Sequence, residues 1–339
     1  MAETGSGGRR LHGSDRDNQW ISPHIAMAGQ YPENIIEIFE DFFFIQRGFL
    51  NCNHFVYRGD PPILIDTGYL GGLEETVSLI AGLGVDPANT GLIINTHCHC
   101  DHIGANRFIQ DMSGCESALQ YIGKHFIDTR DDWATWSRYY NQEAEFFETT
   151  YGLEDGQTLD IGPYRFEVLY TPGHSADGIV LYNRREKILL SSDTLWENDV
   201  AAITERVEGS RTLFSFIESL NRLQNLDVRM VYPGHGRPFN DFKGALEKSL
   251  DKIRKYLWDK EKLGNDQLKK ILVYTLLMRR KIGKDELFEE LMRTWWYPET
   301  VDFYFQGKYE QKYTQVIGEL LDKKVIYKQD DLLYPAVRA

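Results

Sequence analysis

At positions 96–102 the chain reads Thr96-His97-Cys98-His99-Cys100-Asp101-His102, just after the apolar run Leu92-Ile93-Ile94. The apolar run predicts a short buried strand, and a turn directly after such a strand can direct alternate side chains to one side. Imidazole and carboxylate groups are ordinary metal ligands. The turn therefore presents four candidate ligands: His97, His99, Asp101 and His102. We expect the two intervening cysteines to point away from them, and His102 to begin the next helix.

Three further candidate ligands occur in later turns, each after a predicted strand: His174, Asp193 and His235. Taken singly, each would more often be an ordinary turn residue. Together with the first cluster they make five histidines and two aspartates, a set that fits two divalent metals sharing one carboxylate. Such ligands favour zinc and also accept iron or manganese.

The first two thirds of the chain alternate apolar runs with turn residues and helical patterns. Strands are predicted at 35–39, 42–45, 54–57, 63–65, 92–94, 165–170, 178–182, 187–190 and 228–232, and helices at 73–81 and 213–223. Strands followed by a helix, twice over, predict an α/β domain at 18–240 in which two sheets are sandwiched by outer helices. The aromatic stretch at 121–151 predicts either an amphipathic insert or the lining of a pocket.

Residues 241–339 are predicted to form a smaller, mainly helical domain. Helices are predicted at 242–263, 267–278, 284–292 and 308–324, followed by a hairpin of 325–328 and 332–334. Helices followed by a hairpin are compatible with a winged-helix topology.

The net charge of −13 is unevenly distributed between the two parts. Residues 1–240 hold 18 basic and 34 acidic residues, whereas 241–339 hold 20 basic and 17 acidic ones. An acidic body repels phosphate backbones at long range, which disfavours nonspecific nucleic-acid binding.

The polar residues at 1–17 predict a mobile leader outside the fold. They lack the apolar core of a signal peptide, and the chain has no uncharged stretch long enough to span a membrane, so we expect neither export nor a membrane anchor. The four cysteines are too sparse for a disulfide framework and fit a reducing, cytoplasmic location.

The residues at 30–240 resemble the metallo-β-lactamase superfamily, in its glyoxalase II-like and β-lactamase-like protein 2-like branch. The match includes the turn Asp66-Thr67-Gly68, the motif His-x-His-x-Asp-His, and the later His, Asp and His in the same order. The resemblance implies an αββα sandwich with two ligand sets and a bridging carboxylate: His97, His99 and His174; Asp101, His102 and His235; and Asp193 between them. It also implies that Asp66 orients one of the ligands.

The resemblance implies a metal-dependent hydrolase that holds two divalent ions, zinc before iron or manganese. A metal-bridging hydroxide would attack an ester, thioester, lactone or phosphodiester of a small molecule, with Asp101 orienting the water. True β-lactamases of the family usually carry Cys where Asp193 stands, and many homoserine lactone lactonases carry Tyr where Trp196 stands, so both activities are disfavoured. The alternatives are a nucleic-acid-processing phosphodiesterase that uses the winged helix as a reader, and a metal-dependent oxidoreductase of the same fold.

The C-terminal module resembles the winged-helix or helical tails of β-lactamase-like protein 2 homologues. Its aromatic residues Trp295 and Trp296 are predicted to lie in a loop before Pro298. They either pack within the tail or line the metal cleft. Indole rings suit a cleft lining because they offer large apolar surfaces with one polar atom. We predict that Trp196, Trp295 and Trp296 bind the substrate. The predicted helix at 308–324 has a net charge of only +1, which is low for a helix that binds in a nucleic-acid groove.

Overall fold

The computed structural model describes residues 31–338, so the predicted leader at 1–17 lies outside the described residues. Seven strands form the first sheet: β1 (Ile35–Phe39), β2 (Phe42–Ile45), β3 (His54–Tyr57), β4 (Ile63–Ile65), β5 (Leu92–Ile94), β6 (Glu116–Gln120) and β7 (Tyr151–Leu153). They are ordered as in the sequence. Neighbours from β1 to β4 are antiparallel, and those from β4 to β7 are parallel.

Five strands form the second sheet: β8 (Thr158–Ile161), β9 (Tyr164–Tyr170), β10 (Ile179–Asn183), β11 (Ile188–Ser192) and β12 (Met230–Pro233). Their order is β12-β11-β10-β9-β8. All neighbours are antiparallel except β11 and β12, which run parallel. Strands β9, β11 and β12 therefore run in one direction, and their carboxyl ends meet at one edge of the sheet.

Helices lie on the outer faces of both sheets. In chain order the first seven are α1 (Leu73–Gly82), α2 (Asn106–Ser113), α3 (Tyr121–Asp128), α4 (Ser137–Tyr140), α5 (Glu205–Glu208), α6 (Thr212–Leu223) and α7 (Phe242–Trp258). Helices α1 and α2 pack on the first sheet, and α6 and α7 pack on the second. The αββα sandwich predicted from the sequence is confirmed.

Alternation of side chains along buried strands creates this layering. In β2, Phe42 and Phe44 face the core between the sheets, whereas Phe43 and Ile45 face the helices outside. Both faces of the strand are buried, which explains why its sequence is apolar throughout.

The core between the sheets gives a stability prediction. Phe166 is fully buried there, with its ring centroid 5.8 Å from that of Phe42. We expect Phe166→Ala to lower the free energy of unfolding by about 3–5 kcal/mol, since it leaves a cavity in a packed core. Chemical denaturation measures the change. Phe303→Ala, at a side chain that is 74% exposed, is the matched control and should stay within about 0.5 kcal/mol of wild type. Equal losses in both variants would contradict the proposed core.

The C-terminal region is mainly helical, as predicted. It comprises α8 (Lys260–Arg279), α9 (Lys284–Met292), α10 (Trp296–Phe305) and α11 (Tyr309–Asp322), with short strands β13 (Ile282–Gly283), β14 (Ile326–Gln329) and β15 (Leu332–Pro335). Strands β14 and β15 form the predicted hairpin, and β13 pairs with β15. The winged-helix interpretation stays a prediction. None of the helices within 31–338 is both long and apolar enough to cross a bilayer.

Two sequence predictions for the C-terminal helices are wrong. The helix predicted at 242–263 breaks at Asp259, whose backbone is extended. The break lets α7 pack on the second sheet while most of α8 joins a separate cluster. The loop predicted for Trp295 and Trp296 is the start of α10. Pro298 is compatible with this helix because it lies in the first turn, where backbone N–H groups need no helical partner.

Several elements were missed by the sequence patterns. Strands β6, β7 and β8 are short, and β6 carries Glu116, Ser117 and Gln120 among its five residues. The aromatic stretch at 121–151 contains α3 and α4 and otherwise lacks regular structure until β7. Its Trp136, Tyr139 and Tyr140 share a buried cluster with Leu268 and Leu272 of α8. The stretch therefore joins the C-terminal region to the sandwich.

Candidate metal centre

Three histidines converge at the edge of the sandwich. His97 and His99 follow β5, and His174 lies in the turn between β9 and β10. The Nδ1 atom of His99 is 2.9 Å from Nε2 of His174. The Nε2 atom of His97 is buried and has no hydrogen-bond partner among residues 31–338. One nitrogen of each ring lies within 4.8 Å of the others, a grouping that can hold one metal ion.

The outward nitrogen of each ring is held by a neighbouring group. Nδ1 of His97 lies 3.4 Å from Oγ of Ser192. Nδ1 of His174 donates to the carbonyl of Ala202 at 2.7 Å, and Nε2 of His99 is 3.1 Å from Oε1 of Glu208. Such outer partners orient a ligating imidazole and select its tautomer.

A second set is formed by Asp101, His102 and His235. Nε2 of His235 is 3.2 Å from Oδ2 of Asp101, and Nε2 of His102 is 3.9 Å from the same oxygen. Nδ1 of His102 is 2.9 Å from Oδ2 of Asp66. The carboxylate of Asp66 also accepts from the backbone N–H of Thr96 at 2.8 Å, which ties it to the ligand turn. Asp66 therefore lies where it can orient His102, and its role stays a prediction.

Asp193, at the end of β11, lies between the two sets. Its Oδ2 is 3.3 Å from Nε2 of His174, 3.6 Å from Nε2 of His102 and 3.7 Å from Nε2 of His235. Burial alone would raise the pKa of this carboxyl, but the nearby rings of His235, His102 and His174 hold its pKa well below the ordinary value. Asp193 is therefore a buried carboxylate.

The three-histidine set is electrostatically suited to metal binding. Burial lowers the pKa of His97, His99 and His174, so their rings are neutral at neutral pH and retain a lone pair. In the second set, burial opposes protonation of His235, yet Asp193 and Asp101 raise its pKa above the ordinary value. Metal binding there would displace a proton.

The residues present fit two divalent ions. Two buried imidazole nitrogens, Nε2 of His97 and Nε2 of His102, face inward and have no hydrogen-bond partner among residues 31–338. Nitrogen and carboxylate oxygen ligands with one shared carboxylate are the donor set that zinc, iron and manganese accept. Asp101, His102 and His235 form a second potential metal-binding group beside the three-histidine group.

The family model described as "Metallo-beta-lactamase superfamily" matches residues 47–235, a span that contains all seven candidate ligands. The chain belongs to the metallo-β-lactamase superfamily. Its relatives include proteins named as metallo-hydrolases and one named as a thioesterase. One is the probable metallo-hydrolase YqjP of Bacillus subtilis, 26% identical over 59% of this chain and 72% of that protein.

Two further relatives match a smaller share of their own length. The β-lactamase-like protein 2 homologue of Caenorhabditis elegans is 24% identical over 59% of this chain and 58% of that protein. The atrochrysone carboxyl ACP thioesterase of Aspergillus fumigatus is 23% identical over 57% of this chain and 53% of that protein. The chain thus spans little more than half of these two relatives.

A solved structure extends the likeness of fold beyond the span of the family model. A metallo-β-lactamase family protein of Thermus thermophilus aligns with a TM-score of 0.58 at 18% identity, covering 88% of this chain and all of that one. Residues 47–235 are less than 88% of the chain, so the structural alignment also includes residues outside the span of the family model. At this identity the comparison concerns the fold alone.

The two motif cysteines point away from the candidate ligands, as the alternation of side chains predicts. The thiol of Cys98 donates to the carbonyl of Ala134, and that of Cys100 donates to Oε1 of Gln142 at 2.9 Å. Burial raises the pKa of both thiols well above the ordinary value. They connect the ligand turn to the aromatic stretch. The helix expected at His102 begins instead at Asn106, so His102 lies in the turn.

The three tryptophans predicted to bind substrate occupy different surroundings. Nε1 of Trp196 donates to Oδ1 of Asp193 at 3.3 Å, and its ring lies 5.3 Å from that of His235. Trp295 is 58% exposed and lies 6.1 Å from Trp133, centroid to centroid. Trp296 is completely buried in the C-terminal cluster. In this structure its ring has no surface to offer a substrate.

Sequence reasoning missed three residues near the ligands. Trp136 stacks on His99, and Glu208 accepts from Nε1 of Trp136 at 2.8 Å. Tyr274, from α8, is buried, and burial with the nearby carboxylates of Asp101 and Asp193 raises the pKa of its phenol well above the ordinary value. The aromatic stretch at 121–151 offered a pocket lining as one alternative, and the folded chain shows that Trp136 is the ring that reaches His99. No local motif surrounds Glu208 or Tyr274.

Proposed function

We propose that the protein is a dinuclear metal-dependent hydrolase of small or medium organic esters and thioesters, with lactones and phosphodiesters as further substrates. The observation that carries the proposal is the place of Asp193, whose Oδ2 lies within 3.7 Å of ligand nitrogens from both sets. When bound, two divalent ions lower the pKa of water to near neutrality and polarise the substrate oxygen.

The residues around the ligands are assigned roles by their contacts. Asp101 is the candidate catalytic residue, because one of its oxygens contacts His235 while Oδ1 has no hydrogen-bond partner within 31–338. The free oxygen can orient water and hold its proton. Trp196 supplies an apolar wall beside Asp193.

A small substrate suits the enclosure of the site better than a duplex does. The side chains of Asp193 and His235 are only 5% and 4% exposed, and Lys270 of α8 donates to the carbonyl of Val200 in the segment that follows Asp193. The nucleic-acid alternative is also disfavoured because Lys312 is not free to contact a phosphate. This residue is buried, and its ammonium lies 3.6 Å from the ring centroid of Phe305. The name of the Aspergillus relative supports a thioester as the first substrate class to assay.

A substrate panel tests the proposal. We expect protein loaded with zinc, iron or manganese to hold close to two ions per chain and to hydrolyse an acyl thioester or an aryl ester faster than a penicillin or a carbapenem. Chelation should abolish the activity. Elemental analysis and initial rates are the measurements, with a lactone and an aryl phosphodiester in the panel. Absence of site-specific metal after all three loadings, or β-lactam turnover above every ester, would overturn the proposal.

A further inference from the structure

The outer side of His99 is enclosed by two residues from segments that contribute no candidate ligand. The indole of Trp136 stacks on the imidazole with centroids 3.8 Å apart and planes inclined by 28°. The carboxylate of Glu208, at the end of α5, is 3.1 Å from Nε2. We propose that Glu208 and Trp136 are positioning residues that direct Nδ1 of His99 toward the metal and so set the affinity of the three-histidine site. The inference rests on the metal centre of the proposed function.

The contacts of Glu208 favour its role as an acceptor. Oε1 receives the indole N–H of Trp136 at 2.8 Å, and Oε2 receives the backbone N–H of Ala176 at 2.7 Å. Both partners can only donate, so each carboxylate oxygen is turned toward an N–H group. The same Oε1 lies 3.1 Å from Nε2 of His99. Burial raises the pKa of Glu208 to about 8, and in its ionised form this oxygen favours a proton on Nε2. The lone pair then remains on Nδ1, the atom that lies 2.9 Å from Nε2 of His174.

Stacking by Trp136 complements this hydrogen bond. Its indole covers one face of the His99 ring and lies 5.0 Å from the ring of His174. Rotation of the imidazole would therefore require displacement of a large, buried side chain. The rings of Tyr140 and Trp136 pack with centroids 5.0 Å apart, and the hydroxyl of Tyr140 accepts a hydrogen bond from Gln267 of α8. The C-terminal region therefore helps to hold Trp136 against His99.

His99 is held differently from the other ligands of its set. The outer nitrogens of His97 and His174 meet a hydroxyl and a backbone carbonyl, whereas His99 meets a buried carboxylate. A carboxylate partner raises the basicity of a ligating imidazole, and removing such a partner commonly costs 10–100-fold in metal affinity. Because His99 belongs to one ligand set, the loss should fall on one of the two ions.

Three variants and one control test the metal side of the proposal. In the full-length protein, we expect Glu208→Ala to weaken the three-histidine site for Zn²⁺ by roughly 10–100-fold. Glu208→Gln and Trp136→Phe, which retain an acceptor or a ring, should lose less. Glu205→Gln is the matched control, since Glu205 lies on the same short helix but pairs with Lys260. Competition with a chelator, followed by elemental analysis, measures one ion lost early in Glu208→Ala and none in the control.

The tautomer of His99 provides a readout that needs no substrate. We expect ¹⁵N spectra of the zinc-loaded full-length protein to show His99 bound through Nδ1, with its proton on Nε2, in wild type and in Glu205→Gln. In Glu208→Ala we expect a mixture of tautomers, with melting curves that confirm folding. A proton on Nδ1 in wild type, or unchanged zinc affinity in both Glu208 variants, would overturn the proposal. Failure of every substrate in the panel would contradict the proposed function alone, since the tautomer and zinc affinity are measured without it.

Discussion

Asp193→Ala is expected to lose most of the bound metal and all hydrolytic activity. Its Oδ2 is the one carboxylate oxygen within 31–338 that lies close to ligand nitrogens of both sets, at 3.3 Å from His174 and 3.6 Å from His102. Removing it leaves each set with three ligands and brings buried imidazoles together without an intervening negative charge. We expect metal content to fall from close to two ions per chain to less than one, and kcat/KM to fall to the background rate.

Elemental analysis and steady-state rates on the best ester or thioester measure this loss. Asp227→Ala is a suitable control because the Asp227 side chain is 74% exposed and pairs with Lys187 on the surface. It should retain both ions and full activity. If Asp193→Ala kept two ions and its activity, the shared-carboxylate arrangement would be wrong.

Asp101→Asn is expected to have the second-largest effect. The substitution keeps the size of the side chain but removes the negative charge that faces His235 at 3.2 Å. A positioned general acid or base typically contributes about 10²–10⁴-fold to rate, so we expect a fall of that order in kcat. Steady-state kinetics over a range of pH measure it, because loss of a proton-accepting group changes the shape of the pH profile as well as the maximum rate.

The metal content of this variant separates catalysis from binding. We expect the three-histidine site to remain loaded, since Asp101 is not one of its ligands. Asp111→Asn, at an exposed carboxylate that pairs with Arg107 on α2, serves as the control and should behave as wild type. A rate unchanged from wild type in Asp101→Asn would remove Asp101 from the catalytic role.

Short-range patterns were sufficient for much of the sandwich. Strand β2 is recognisable from four consecutive apolar residues, and the turn after β5 from its alternating ligand types. Strand β6 was not recognisable, because a strand of five residues with two polar ends and a serine lacks an apolar run. Its place is decided by pairing with β5 and β7 on either side.

The C-terminal aromatic residues show where local reasoning fails. Trp295 and Trp296 are neighbours in the sequence, and Pro298 favours a loop interpretation. In the structure one ring is largely exposed and the other fully buried, because successive residues of a helix point in different directions and α10 packs on α8. Composition cannot distinguish a tryptophan that lines a cleft from one that packs in the core, because both positions favour a large aromatic side chain.

The sequence by itself predicted the layered fold and the candidate ligands, because strand alternation and ligand-bearing turns are properties of a few adjacent residues. The family followed from the resemblance of those turns to a known motif. Only the tertiary structure decided which nitrogen of each histidine faces inward, and that Glu208 and Trp136 enclose His99. It also decided that Tyr274 of the C-terminal region is buried within electrostatic range of Asp101 and Asp193. Glu208 lies 109 positions from His99 in the sequence and 3.1 Å from it in the fold. Such a contact depends on how α5, the aromatic stretch and the sheets pack together, and no local pattern encodes that packing.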